Sequence, residues 1–142
     1  MPQVRRKVMV VPVRITGAWE VLLLQRGPEK GSVWQPVTGN VEPGEHLDAA
    51  ARREFDEETG LAREGAVRPT GFVHRFEKGG GDPPRRFEEH VYVAVVRLGA
   101  RVRLSREHVG SKWLPTEEAL SAVAQEGVRT AIRRALAAVG AE

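Results

Sequence analysis

The chain has 142 residues, about the size of one ordinary domain, so two independently folding domains would each be marginal. Its 41% hydrophobic and 29% charged residues exclude a disordered, collagen-like or coiled-coil chain, and the absence of cysteine excludes disulfides, thiolate metal sites and a cysteine nucleophile. We therefore expect a single domain over residues 1–142. Because no apolar signal segment follows the N-terminus, we also expect a cytoplasmic protein.

Strands and helices are predicted along the whole chain from the apolar pattern. Strands are predicted over 8–15, 19–24, 67–77 and 86–98, and short extended segments over 33–38 and 112–114. Helices are predicted over 47–59, from 115–118 onward, and over 128–139. Gly60 suits the left-handed position that follows a helix. Residues 78–84, which are rich in glycine and proline, are predicted to form the most flexible loop.

The net charge of +3 is unevenly distributed along the chain. Between Gly39 and Leu61 there are seven acidic side chains and only two arginines. A nucleic-acid-binding protein usually clusters its positive charge, whereas here a negative patch lies within a positive frame. This arrangement suits a metal ion held between protein carboxylates and a polyanionic ligand.

Three glutamates of the first predicted helix share one face. Glu54, Glu57 and Glu58 fall within an arc of about 100°, since residues three and four apart are neighbours, while Asp56 points to solvent and Arg53 lies beside the triplet. The placement is costly, because like charges repel and the last turns of a helix favour cations. Carboxylates without thiolate or paired histidine ligands indicate Mg²⁺ or Mn²⁺ rather than Zn²⁺. A solvated acidic face is the alternative.

The segment that starts at Gly39 reads GNVEPGEHLDAAARREFDEETGL. It resembles the Nudix box, G-x5-E-x7-R-E-U-x-E-E-x-G-U, in which U is apolar. Every specified position matches without a gap, over Gly39, Glu45, Arg53, Glu54, Phe55, Glu57, Glu58, Gly60 and Leu61. The resemblance implies an α/β fold, namely a Nudix-type α/β/α sandwich with a mixed β-sheet between helices. It also implies Mg²⁺-dependent hydrolysis of a nucleoside diphosphate linked to another moiety.

The resemblance further implies a role for each residue of the box. The three glutamates that share a helix face are expected to bind the metal, with the backbone carbonyl of Gly39 as a further ligand. Glu45 and Arg53 are expected to hold the loop and the helix in shape. Alternatively, one of the carboxylates deprotonates the attacking water. Phosphoanhydride hydrolysis requires neutralised phosphates and an acidified water, which agrees with these roles.

Three segments outside the box resemble bacterial dihydroneopterin triphosphate pyrophosphatases, although many Nudix proteins carry similar ones. They are VLLLQR over 21–26, WQPVTG over 34–39 and EHVGSKWL over 107–114. In that group a further metal-binding glutamate lies on a late strand, and Glu89 matches its position. Glu89 alternates with apolar residues in the pattern of a buried face, where a carboxylate needs a partner. Glu88 is the second candidate, and an acid at a frayed strand start is the alternative.

Several residues are candidates for contacting a substrate. Arg26 and Lys112 are expected to contact phosphates, with ordinary surface salt bridges as the alternative. Trp34 is expected to stack on a pterin or purine ring, with capping of the core as the alternative. Arg85 and Arg86 follow the glycine-rich loop and are further candidates for closing over a polyphosphate. No catalytic role is assigned to the histidines at positions 46, 74, 90 and 108.

Together these features predict a Mg²⁺-dependent Nudix pyrophosphohydrolase, with Mn²⁺ as the alternative metal, that releases pyrophosphate from a dihydroneopterin or nucleoside triphosphate. Dinucleoside polyphosphates, ADP-ribose and oxidised dNTPs are the alternative substrates. A non-catalytic module that binds nucleotide or RNA is supported by the basic pI of about 9.8 and opposed by the complete box. The expected partners are a small polyphosphate molecule and, since family members are often dimers, a second copy of the chain. We expect no membrane and no nucleic-acid partner.

Overall fold

The computed structural model describes residues 3–141. The strands within them are β1 (Val4–Ile15), β2 (Trp19–Arg26), β3 (Trp34–Gln35), β4 (Val37–Asn40), β5 (Val67–Lys78), β6 (Arg85–Val95) and β7 (His108–Pro115). The helices are α1 (Leu47–Thr59), α2 (Thr116–Ala122) and α3 (Glu126–Ala138), with a short 3-10 helix at Pro28–Lys30. No helix in this described part of the chain has the length and apolarity needed to span a membrane.

β1 is the central strand of a mixed sheet. The strand order is β3-β2-β1-β6-β5, while β4 pairs with β1 and β7 pairs with β2. β1 and β6 run parallel, with residues 4–13 in register with residues 86–95. The other edge of β1 is antiparallel, since residues 7–10 pair with β4 and residues 13–15 pair with β2.

A hydrophobic core lies on each face of the sheet. β1 is buried on both sides, because Val8 and Val10 belong to the core under α1, whereas Met9 and Val11 belong to the core under α2 and α3. A nearly continuous apolar run is what a strand covered on both faces requires. The helices therefore form one layer on each side of the sheet. This arrangement confirms the predicted α/β class.

The predicted helix 47–59 has the same bounds as α1. It ends because Gly60 adopts a left-handed conformation, with φ of 69°, and its N–H donates to the Asp56 carbonyl. At the other end, His46 occupies the N-cap without a side-chain hydrogen bond. The start of α1 is instead tied to its neighbours by the contacts of Arg53 described below.

Three strands are at least two residues longer than predicted, and β6 ends at Val95 rather than at residue 98. β2 continues to Arg26 rather than ending at residue 24. β1 begins at Val4 rather than at residue 8, and β7 spans His108–Pro115 rather than 112–114. The added residues of β1 and β7 are largely polar, and pairing with β4, β6 and β2 holds them in extended conformation. This pairing brings Lys7 and His108 into the sheet, where both lie close to the acidic face of α1.

Candidate active site

An open polar cavity of about 570 Å³ lies beside the acidic face of α1. Its lining residues are Lys7, Arg26, Thr38, Gly39, Asn40, Glu42, Arg53, Glu54, Glu57 and Glu107. Apart from Gly39, every one of these residues carries a polar or charged side chain. The structure thus brings five of the predicted site residues together and adds five others, among them the charged residues Lys7, Glu42 and Glu107.

Arg53 links the loop before α1 to the acidic face of the helix. Its Nε and Nη2 atoms donate to the two carboxylate oxygens of Glu45 at 2.8 and 3.0 Å, and Nη2 also donates to the Asn40 carbonyl at 2.9 Å. Its Nη1 donates to Glu54 at 2.7 Å and to Glu57 at 3.3 Å. The bonds to Arg53 lower the pKa of Glu45 to about 2. We call these residues the Arg53 network; two parallel bonds of this kind fix geometry as well as charge.

Gly39 is packed against the side chain of Glu54. A Cβ atom at position 39 would lie 2.0 Å from the Cδ atom of Glu54, far inside van der Waals contact. The register of β4 fixes Gly39 there, because it pairs with Val8 of β1. Any other residue at this position would therefore displace the Glu54 carboxylate.

Arg26, Glu58 and His108 form a buried polar cluster next to this cavity. The Nε2 atom of His108 lies 3.7 Å from the Oε1 atom of Glu58, and the two side chains are 1% and 3% exposed. Five buried polar atoms of this cluster make no hydrogen bond of normal geometry to the described residues. They are both carboxylate oxygens of Glu58, both ring nitrogens of His108 and the Nε atom of Arg26. A buried polar group left unsatisfied costs about 1–3 kcal/mol. Such a cluster is typical of a functional site rather than of a structural core.

Burial raises the pKa of Glu58 to about 10, and the nearby carboxylates of Glu54 and Glu107 add to this shift, while a contact with the Thr38 backbone opposes it more weakly. Burial, and then the charge of Arg26, lower the pKa of His108. A carboxylate this costly to ionise fits a place that a cation occupies. Within residues 3–141 no group of three or more acidic or histidine side chains is already arranged to hold a metal ion.

Glu89 does not line the cavity. It is 4% exposed, and its carboxylate lies 3.1 Å from the Nδ1 atom of His74, which supplies the partner that a buried acid needs. Lys7 of β1, which lines the cavity, pairs with Glu89 of β6, so Glu89 lies one strand away from the cavity lining. Glu88 forms an ion pair with Arg75 at 3.1 Å and also lies outside the lining.

The predicted substrate contacts other than Arg26 also lie outside the cavity lining. The Nζ atom of Lys112 is 5.2 Å from the centre of the Trp34 ring, and Trp34 packs half-buried against the core. This packing supports the core-capping alternative for Trp34. Arg86 forms an ion pair with Glu77 at 3.1 Å, and neither it nor Arg85 lines the cavity.

Five cavity residues carry no site prediction from the sequence, namely Lys7, Thr38, Asn40, Glu42 and Glu107. Lys7 has no local signal, because the apolar run that marks its strand begins one residue later. Glu107 opens the segment EHVGSKWL, whose resemblance to the pyrophosphatases was noted without assigning it a role. The available signal for Glu107 was its place in this segment, five residues before the predicted strand 112–114.

Comparison with known proteins places the chain in a family. Residues 3–136 match the NUDIX domain. An octanoyltransferase of Myxococcus xanthus is 38% identical over 117 residues, which are 82% of this chain but 32% of that protein, so the chain spans about a third of that relative. The C. elegans Ap4A hydrolase in a binary complex has a TM-score of 0.82 at 26% identity and covers 96% of this chain and 98% of its own. The E. coli dihydroneopterin triphosphate pyrophosphohydrolase has a TM-score of 0.78 at 26% identity, over 93% and 97%. The chain belongs to the Nudix hydrolase family.

Proposed function

We propose that the chain is a divalent-cation-dependent pyrophosphohydrolase that cleaves a phosphoanhydride of a dihydroneopterin or nucleoside triphosphate and releases pyrophosphate. The cavity carries this proposal, because Glu54 and Glu57 line it together with Lys7 and Arg26. Carboxylates bind a hard cation, and basic side chains bind phosphate oxygens. No apolar side chain lines the cavity, so it offers nothing to an acyl chain and does not support octanoyl transfer.

The acidic face of α1 fits a divalent cation, which Nudix hydrolases generally use. The fit rests on the buried oxygens of Glu58, which lack hydrogen-bond partners, and on Gly39, which leaves room for the Glu54 carboxylate. Glu54, Glu57 and Glu58, with the Gly39 carbonyl, would hold Mg²⁺ or Mn²⁺. When bound, such a cation neutralises phosphate charge and acidifies the attacking water.

The remaining cavity residues bind and orient the substrate and the ligands. Lys7 and Arg26 contact the phosphate oxygens, and their charges offset the repulsion between the polyphosphate and the acidic helix face. Arg53 holds the Glu54 carboxylate through its 2.7 Å bond and joins it to the loop that contains Glu45. Positioning of this kind, rather than covalent chemistry, is what hydrolysis of a phosphoanhydride requires of a protein.

A substrate panel with Mg²⁺ tests the proposal by identifying the products. We expect pyrophosphate and a monophosphate from dihydroneopterin triphosphate or from nucleoside triphosphates. Release of ATP from diadenosine tetraphosphate, with no turnover of triphosphates, would replace this proposal by dinucleoside polyphosphate hydrolysis, which the likeness to the C. elegans Ap4A hydrolase supports equally well. ADP-ribose and oxidised dNTPs complete the panel. Binding of nucleotide or RNA without any hydrolysis would favour a non-catalytic module.

We also propose Glu107 as the further carboxylate of the site, with Glu89 as the alternative that the family resemblance implies. Glu107 lines the cavity, whereas Glu89 is engaged with His74. Glu107→Gln is expected to weaken Mn²⁺ binding at least about tenfold in calorimetry and to lower turnover. Loss of a residue that only supports a metal ligand already weakens binding about 10–100-fold, so loss of a ligand itself should cost at least as much. Glu88→Gln is the matched control and should leave both unchanged. A larger loss of Mn²⁺ binding in Glu89→Gln would assign the role to Glu89.

A further inference from the structure

We infer that His108 is a positioning residue: its ring donates a hydrogen bond from Nε2 to Glu58 and fixes the orientation in which Glu58 receives the divalent cation. The inference rests on the proposed function, since it concerns the same carboxylate. It assigns a specific role to a histidine for which the sequence predicted only a structural or surface position.

The sheet places His108 behind Glu58. His108 begins β7 and is paired with Arg26 at the end of β2, where the register shifts between Gln25 and Arg26. Irregularities of this kind re-aim a side chain and are common next to active sites. The His108 ring is 1% exposed, and neither His108 nor Glu58 lines the cavity. The pair therefore forms a second layer beneath the carboxylates that the cavity exposes.

The neighbours of Glu58 leave His108 as its side-chain donor. The 3.7 Å between the Nε2 atom of His108 and the Oε1 atom of Glu58 exceeds the hydrogen-bond distance of about 2.9 Å, so the inferred bond requires a movement of about 1 Å of the Glu58 side chain. The acidic side chains near Glu58 are those of Glu54 and Glu107, which as carboxylates have no proton to donate to it. Arg26 lines the cavity, where under the proposed function it contacts phosphate. A carboxylate that gives one oxygen to a cation commonly receives a hydrogen bond from a neighbouring group.

Calorimetric titration with Mn²⁺ in the absence of substrate tests this role. His108→Gln retains a donor near the position of Nε2, whereas His108→Phe retains the ring and removes both nitrogens. We expect His108→Phe to bind Mn²⁺ about 10–100-fold more weakly, the range found for partners of metal ligands, and His108→Gln to bind like the parent. His90→Phe is the matched control, because His90 is a half-buried histidine of β6 outside the cluster. It should bind like the parent.

Thermal unfolding without metal establishes which variants are folded. If His108→Phe does not fold, His108→Asn takes its place, since its shorter amide cannot reach Glu58, and the same weakening is expected. Parent-like Mn²⁺ binding by folded His108→Phe, or by His108→Asn where it takes its place, overturns the inference and leaves the proposed function intact. Weak binding by a folded His108→Gln also overturns it, because a donor at that position would not suffice. A parent protein that takes up no Mn²⁺ overturns both.

Discussion

Glu45 and Glu58 belong to the same short motif but have opposite environments. Glu45 accepts two hydrogen bonds from Arg53, which lower its pKa to about 2. Glu58 is buried without a hydrogen bond of normal geometry, and burial raises its pKa to about 10. The chain itself satisfies the first carboxylate, whereas the second has no such partner among the described residues and, under the proposed function, receives a divalent cation. The Arg53 network therefore links the loop to the helix, and the buried polar cluster is the part of the site that we propose to serve binding.

This contrast separates residues that stabilise the fold from residues that serve the proposed function within one short motif. Charges that are paired inside the chain stabilise the fold. Charges that have no partner destabilise the ligand-free protein, and a ligand that pairs with them offsets this cost in free energy. The Arg53 network lies between the two, since Arg53 contacts Glu45 on one side and Glu54 and Glu57 on the other. Variants of the proposed metal-binding glutamates should therefore lose activity, whereas variants that break the bonds of Arg53 should lose stability.

The largest expected effect comes from the functional side. Glu57→Gln and Glu58→Gln should each lower turnover by at least about a hundredfold, because they remove charge that binds the cation or accepts a proton. Both variants should remain folded, and the melting temperature of metal-free Glu58→Gln should not fall, because a buried amide costs less than a buried carboxylate. Asp56→Asn is the control, since Asp56 is an exposed acid of the same helix. Turnover like that of the parent in either glutamine variant would contradict the assignment.

A smaller loss of turnover is expected from Gly39→Ala. The new methyl group must displace the Glu54 carboxylate, and misplacement of a reacting group by about 1 Å can cost about a hundredfold in rate. Steady-state kinetics and Mn²⁺ titration measure the effect. Gly80→Ala serves as control, because a Cβ atom there would meet no other atom within 4 Å. An unchanged rate in Gly39→Ala would show that the position of Glu54 is unimportant.

The structural side should respond in stability. Arg53→Ala removes the bonds to Glu45, Asn40 and Glu54, so we expect the melting temperature to fall by several degrees in the absence of metal. Arg52→Ala changes an exposed neighbour on the same helix and should shift it far less. Equal shifts in the two variants would mean that the Arg53 network contributes nothing specific.

A further contrast is a pair of opposite pH dependences in metal-free protein. The pKa of Glu45 is lowered from 4.5 to about 2, so its contribution is present above pH 4.5 and is lost as the pH falls toward 2. The pKa of Glu58 is raised from 4.5 to about 10, so stability is lost as the pH rises between these values. Urea unfolding across this range should show a flatter alkaline limb in Glu58→Gln and a flatter acid limb in Glu45→Gln. Identical pH profiles of stability in the parent, Glu58→Gln and Glu45→Gln would show that these two carboxylates do not affect stability in opposite ways.

The bounds of α1 could be predicted because its signals are local. The helical periodicity of residues 47–59 and the glycine that follows determine where the helix ends, and the box spacing then determines which glutamates share a face. The class of the fold followed from the same motif. The buried position of Glu89 was also predicted from alternation, although Val95, expected on the same face, is 36% exposed because the strand ends there.

The rest of the site depends on pairings between distant segments. Lys7 reaches the cavity because β1 extends alongside β4 and β6, and His108 is buried because β7 extends alongside β2. Neither extension has an apolar signal, so both strands were predicted too short. Glu107 lies in a loop, where periodicity gives no information. The single domain over residues 1–142, the homodimer and the cytoplasmic location stay predictions.

The parallel pairing of β1 with β6 means that one edge of β1 stays unpaired during synthesis until β6 has been made. β1 is translated before β6, and at about 5–20 residues per second its partner strand follows several seconds later. Pairing of distant parallel strands is slow, because a long loop must close first. Throughout this interval the apolar run of β1 has no partner on that edge. This strand is therefore a segment of the nascent chain that needs shielding from aggregation until β6 is made.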